Sequence, residues 1–146
     1  MSWTKPTRTC ELDTAKLADV LRRTRAGFHR AVAAMASAGN DIVMDHVLSE
    51  PWRLRDCLTV MHGIDVVFVG VHCSLDELQR REQQRGDRRV GTAADQIHSV
   101  HAHRTYDLEL DTSTDTIENC SARITAFLNL APTHRAFDRL RAELTR

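Results

Sequence analysis

The chain has 146 residues, 42% of them apolar and 27% charged, the size and balance of one globular domain. Its 20 basic residues equal its 20 acidic ones, which argues against a globally basic nucleic-acid binder. Only Lys5 and Lys16 are lysine and the other 18 cations are arginine, while the six glycines lie scattered, whereas a phosphate-binding loop needs them clustered.

The first ten residues hold no apolar run, so a secretory signal is not expected and the protein reads as cytoplasmic. The first periodic segment follows. Leu17, Leu21, Thr24, Phe28, Ala31 and Met35 recur at steps of three and four and predict a helix from about Asp13 to Ala38, with these residues on one face. Asp13 is suited to cap its start and Gly39 to end it. Asp41–Val47, short, apolar and β-branched, predicts a buried strand. Pro51 is favourable at a first helical position and opens a helix to about His62, which Gly63 closes. Asp65–Cys73 is a second buried strand, and strand, helix, strand makes a right-handed parallel crossover.

Ser74-Leu-Asp-Glu77 is a capping box that opens a strongly polar helix. Five arginines crowd its end and the turn after it, Arg80, Arg81, Arg85, Arg88 and Arg89, against Glu82 and Asp87. A helix over Ala93–His101, a third strand over Thr105–Asp111, a helix from about Asp115 and a last amphipathic helix from Pro132 complete the chain. Strands alternating with helices mean α/β with a parallel sheet, here of three visible strands.

Arginine offers a planar fork that holds phosphate oxygens in pairs and stays charged at any cytosolic pH, so the arginine cluster is the main chemical signal. On a polar helix after a strand, such residues can close over a transferring phosphoryl group; a solvated helix face is the plain alternative. Asp45 ends a buried strand, where ligands of parallel sheets gather, and is suited to hold Mg²⁺ or orient a nucleophile, or else caps the next turn. His98, His101 and His103 have metal-like spacing, but a helix cannot bring all three to one face, and no metal site is expected. Cys10, Cys57, Cys73 and Cys120 lie far apart without a C-x-x-C pair and read as small hydrophobes in a reducing compartment. No G-x-x-x-x-G-K-[ST] loop occurs anywhere.

The order of these motifs is familiar. A helix ends in Met-Ala-Ser-Ala-Gly39, then come Asp-Ile-Val-Met-Asp-His-Val47, Asp65–Cys73, Arg81-Glu-Gln-Gln-Arg-Gly-Asp-Arg88 and Tyr106-Asp-Leu-Glu-Leu-Asp-Thr112. From about Ala18 to Leu130 the chain thereby resembles the chloramphenicol phosphotransferase-like family of P-loop small-molecule kinases. The resemblance implies ATP- and Mg²⁺-dependent phosphorylation of a small hydroxyl compound on a three-layer parallel sheet. It implies that Arg81, Arg85 and Arg88 are lid arginines facing phosphates, that Asp45 lies near the Mg²⁺ and phosphates, and that Thr112 and Ser113 border the adenine. The loop-bearing strand, its lysine and the family's catalytic Asp have no counterpart here. The expectation is therefore a single truncated domain over residues 1–146, explained by a mis-called start, that binds ATP weakly or not at all. The alternative is a non-catalytic remnant, a partner-binding module that dimerises through an unpaired sheet edge. Neither nucleic acid nor a membrane is an expected partner.

Overall fold

A computed structural model describes residues 13–85, 91–130 and 135–145. The elements run α1 (Thr14–Ser37), α2 (Pro51–Val60), β1 (Val69–His72), α3 (Leu75–Arg85), α4 (Thr92–Val100), β2 (Leu108–Asp111), α5 (Ile117–Leu130) and α6 (Ala136–Leu144). The helix punctuation behaves as the sequence implies. Asp13 caps α1, its carboxylate accepting from the amides of Ala15 and Lys16 at 3.1 and 3.2 Å. Pro51 opens α2. The chain leaves α1 and α2 through Gly39 and Gly63, whose φ of 91° and 79° suit a residue without a Cβ. Pro132, expected to open the last helix, lies outside the described residues.

β1 and β2 form a two-stranded parallel sheet, with Val69 opposite Leu108 and His72 opposite Asp111. Both strands are shorter than expected, and the expected strand over Asp41–Val47 is not one: among the described residues it pairs with nothing. Its side chains still alternate, exposed at Asp41, Val43, Asp45 and Val47 and half-buried at Ile42, Met44, His46 and Leu48. That period of two belongs to a strand face. A strand also needs a partner along its edge, and among the described residues this segment has none.

The core gathers Val32 and Ala33 of α1, Cys57, Leu58 and Met61 of α2 and its exit, and Phe137 and Leu140 of α6. Ile42, Met44 and Phe68 pack against it. The face of α1 that enters is not the one that the periodicity marks. His29, Val32 and Ala33 are buried, while Leu17, Leu21, Phe28 and Met35 are 40–48% exposed. Among the described residues the helix that packs on α1 is α2, and it meets the His29 side. The more apolar stripe therefore has no covering element among the described residues. No described helix is long and apolar enough to cross a membrane.

α6 is fastened at both ends. The Asp107 carboxylate accepts from the Ala136 amide at 2.6 Å, supplying the free N–H groups of its first turn. Arg141 donates to the carbonyls of Leu58 and Met61 at 2.8 and 2.9 Å, closing the C-terminal end of α2.

Candidate functional site

The carboxyl ends of β1 and β2 lie side by side and are laced together. The Thr112 amide and hydroxyl both donate to the His72 carbonyl, at 2.9 and 3.1 Å. The Ser74 amide donates to the Ser113 hydroxyl oxygen at 2.6 Å. Ser113 in turn donates its amide to the Asp111 carboxylate at 2.8 Å, and this bond, with the Ser113 hydroxyl, holds that carboxyl below its usual range.

From this edge α3 sets out, with Ser74 capping the Glu77 amide at 3.4 Å, so half of the expected capping box is present. Glu77 then organises the arginines. Its carboxylate accepts two bonds of 2.6 Å from Arg80 and one of 2.7 Å from Arg81. These bonds hold its pKa down at about 2. The rest of the Arg81 fork reaches the loop after β2, Nη2 to the Thr112 carbonyl at 2.7 Å and Nη1 to the Thr112 hydroxyl at 3.2 Å. Arg81, Thr112 and Ser113, distant in sequence, thus form one group at the carboxyl edge of the sheet.

The other expected residues stand differently. Arg85 is the last residue of α3, exposed, with no side-chain partner among the described residues. Arg88 lies outside the described residues. Asp45 is exposed on the 41–48 segment, and no described contact joins it to the Arg81 group. Beside Arg81, buried Glu82 turns toward α4 and accepts from the amides of Gly91 and Ala93 at 2.8 and 3.3 Å. The negative carboxylate meets the positive end of the helix dipole there. α3 is held through adjacent residues on both sides, by Arg81 to the sheet edge and by Glu82 to α4.

His101 and His103 pack against the aromatic rings of Tyr106 and Phe68. His103 stacks on Phe68 with ring centroids 5.0 Å apart, and His101 Nδ1 lies 2.5 Å from the Tyr106 hydroxyl. Burial lowers the pKa of both rings. Of the cysteines, Cys57 is buried and free, as expected, Cys73 and Cys120 are half-buried, and Cys10 lies outside the described residues.

A second cluster was not legible in the sequence. His29 Nδ1 lies 2.7 Å from the Asp56 carboxylate, and its Nε2 lies 2.8 Å from His46 Nε2. Arg30 pairs with the same carboxylate at 3.1 and 3.2 Å. The polar partners stand 17 and 27 residues from His29 in the chain, so no spacing motif announces them. The only available signal is a histidine one step off the apolar stripe of α1.

The family model described as chloramphenicol phosphotransferase-like protein matches residues 4–129. Two curated relatives, from Mycobacterium tuberculosis strains CDC 1551 / Oshkosh and ATCC 25618 / H37Rv, both carry the name "Putative O-phosphotransferase". Each is 35% identical over 113 residues, which cover 77% of this chain and 50% of the relative. The chain spans about half the length of the curated relatives it matches.

Proposed function

The chain belongs to the chloramphenicol phosphotransferase-like family, and on that premise we propose that it serves an ATP-dependent O-phosphotransferase that phosphorylates the hydroxyl of a small molecule. The observation that carries this reading is the grip of Arg81 on Thr112 across the carboxyl edge of the parallel strands. Ligands of parallel α/β sheets bind beyond that edge. The arginine-rich helix is tied there, and its unpaired charge increases toward Arg85.

Phosphoryl transfer spreads negative charge over the oxygens of the moving group, and the protein's contribution is mostly positioning and charge stabilisation. In this reading Arg85 and Arg88 face the phosphates, and Arg81 fixes α3 against the nucleotide's border at Thr112 and Ser113. The exposed Asp45 carboxylate suits Mg²⁺, which keeps most of its water and takes one or two carboxylates. Bound there, Mg²⁺ would offset phosphate charge. The given residues hold no G-x-x-x-x-G-K-[ST] cradle, so by themselves they are expected to bind Mg-ATP only weakly.

Weak binding is still measurable. In a ¹H–¹⁵N NMR titration with millimolar Mg-ATP, shifts concentrate on Arg81 to Arg85 and on Thr112 and Ser113, and fade in Arg85→Ala. Shifts confined elsewhere, or none, refute the assignment. A second reading, a non-catalytic module that pairs with its own copy, is favoured by the exposed stripe of Leu17, Leu21, Phe28 and Met35. Light scattering showing a clean folded monomer at high concentration removes it.

A further inference from the structure

Three segments converge at the second cluster. α1 brings His29, the segment after it brings His46, and α2 brings Asp56 and Cys57. His29 is fully buried and Cys57 is 2% exposed. The ligating atoms that His29, His46 and Cys57 offer all lie within 4.8 Å of one another. Phe28 and Trp52 flank the rings, with centroids 5.6 Å from His46 and 6.2 Å from His29.

We infer that His29, His46 and Cys57 form a binding site for a borderline-soft divalent cation, Zn²⁺ foremost, held by two imidazole nitrogens and one thiolate with a fourth position open.

The donor set is the first argument. Two imidazoles and a thiolate suit Zn²⁺, whereas Mg²⁺ and Ca²⁺ demand oxygen ligands. The second is the carboxylate behind the histidine. Ligating histidines characteristically give their other N–H to a carboxylate, which fixes the tautomer and aims the lone pair at the metal. Asp56 does this for His29. With the proton on Nδ1, His29 Nε2 carries its lone pair toward His46, and in the metal-free protein it accepts the proton of His46 Nε2. The third is geometry. Zn–N bonds of about 2.0 Å at a tetrahedral angle put two nitrogens roughly 3.3 Å apart. From 2.8 Å the pair opens by about half an ångström to admit the ion, which replaces the shared proton.

Charge cuts both ways. Arg25 and Arg53 disfavour a dication, as they disfavour a proton on His46. The Cys57 thiolate opposes them, with Asp45 beside His46 and with the Asp56 carboxylate, whose charge Arg30 partly offsets at 3.1 and 3.2 Å. Burial pushes the Cys57 thiol up to about 12, so binding must expel its proton and weakens as the pH falls. Burial and these neighbouring charges lower His46 to about 4, so its ring is neutral at physiological pH and available as a ligand. An ion here would pin the 41–48 segment, which has no strand partner, to both helices.

Co²⁺ substitution tests the site in the intact chain. One Co²⁺ per chain is expected to produce a thiolate-to-cobalt charge-transfer band, displaced by Zn²⁺. Cys57→Ser abolishes the band, His46→Gln weakens binding at least tenfold, and Asp56→Asn weakens it about 10–100-fold while keeping the band. A wild-type protein without the band, or a band that survives Cys57→Ser, overturns the assignment. If Cys57→Ser fails to fold by circular dichroism, X-ray absorption of the Zn²⁺-loaded wild type decides. One sulfur at about 2.3 Å with nitrogens at about 2.0 Å supports the site, and a shell of oxygen and nitrogen alone refutes it.

Discussion

Asp107 joins the sheet to the last helix, and its removal is the sharpest test of how the fold holds together. Its side chain is 2% exposed. One carboxylate oxygen accepts from the Phe68 amide at 2.8 Å and the other from the Ala136 amide at 2.6 Å. Its own amide returns a bond of 2.8 Å to the Phe68 carbonyl. Asp107→Ala strands two amide donors, one at the entry to β1 and one in the first turn of α6. A buried donor left unpaired costs about 1–3 kcal/mol, so the pair should cost about 2–4 kcal/mol after partial rehydration. For a chain of this size a kilocalorie moves the melting temperature by roughly 2–4 °C, so the midpoint should fall by about 5–15 °C. Urea unfolding followed by circular dichroism gives the free energy, and scanning calorimetry the midpoint. Asp111→Ala is the internal control: it ends β2, which Asp107 precedes, but its carboxylate is exposed and holds the turn at Ser113. If Asp107→Ala melts within about a degree of wild type, or no lower than Asp111→Ala, the two bonds do not hold the sheet and α6 together.

Three further outcomes follow from the same contacts. A Cβ at Gly70 would meet the Tyr106 ring at 2.8–2.9 Å, so Gly70→Ala should cost about 1–3 kcal/mol in urea unfolding, partly relieved by Tyr106→Ala in the same chain. An unfolded histidine takes up its proton near pH 6.5, whereas His46, first by burial and then by the charges of His29, Arg53 and Arg25, does so only at about 4. The unfolded state binds more protons between those values, so stability is unaffected above pH 6.5 and falls as the pH drops from 6.5 toward 4. His46→Gln should flatten that part of the curve, and an unchanged slope would count against the assignment. Arg81→Lys keeps the charge but loses the fork that spans Glu77 and Thr112, so hydrogen exchange at the Thr112 and Ser113 amides should quicken several-fold with little change in global stability.

The helices were legible because their ends are written locally. Asp13, Pro51, Ser74, Gly39 and Gly63 each act within a few residues of their own position. The core face of α1 was not. Leu17, Leu21, Phe28 and Met35 mark an apolar stripe, yet apolarity says only that a face tends to be covered, and α2 covers the face of His29, Val32 and Ala33 instead. Asp41–Val47 carries the composition and alternation of a strand, but a ladder is a property of two segments. In the site, Arg81, Thr112 and Ser113 were found through the resemblance and come together in space. The part played by Asp107 left no local mark, because nothing in the segment around it tells that its carboxylate caps a helix 29 residues later. The His29, His46 and Cys57 cluster depends on three segments folding over one another and left no mark in the spacing.

The fastening of α6 has a kinetic side. Its anchors reach far back along the chain, Arg135 to Asp65 over 70 residues and Arg141 to Met61 and Leu58 over 80 and 83. Closing a loop of that length costs roughly 4 kcal/mol of chain entropy before any contact forms. Helices α1 and α2 meet over much shorter separations and can associate first, which favours docking of α6 late, past the transition state. Interactions made that late govern the rate of unfolding and leave the folding rate nearly untouched. Phe137, Leu140 and the Arg141 clasp therefore act as the molecule's kinetic latch, setting how long it stays folded once it has folded.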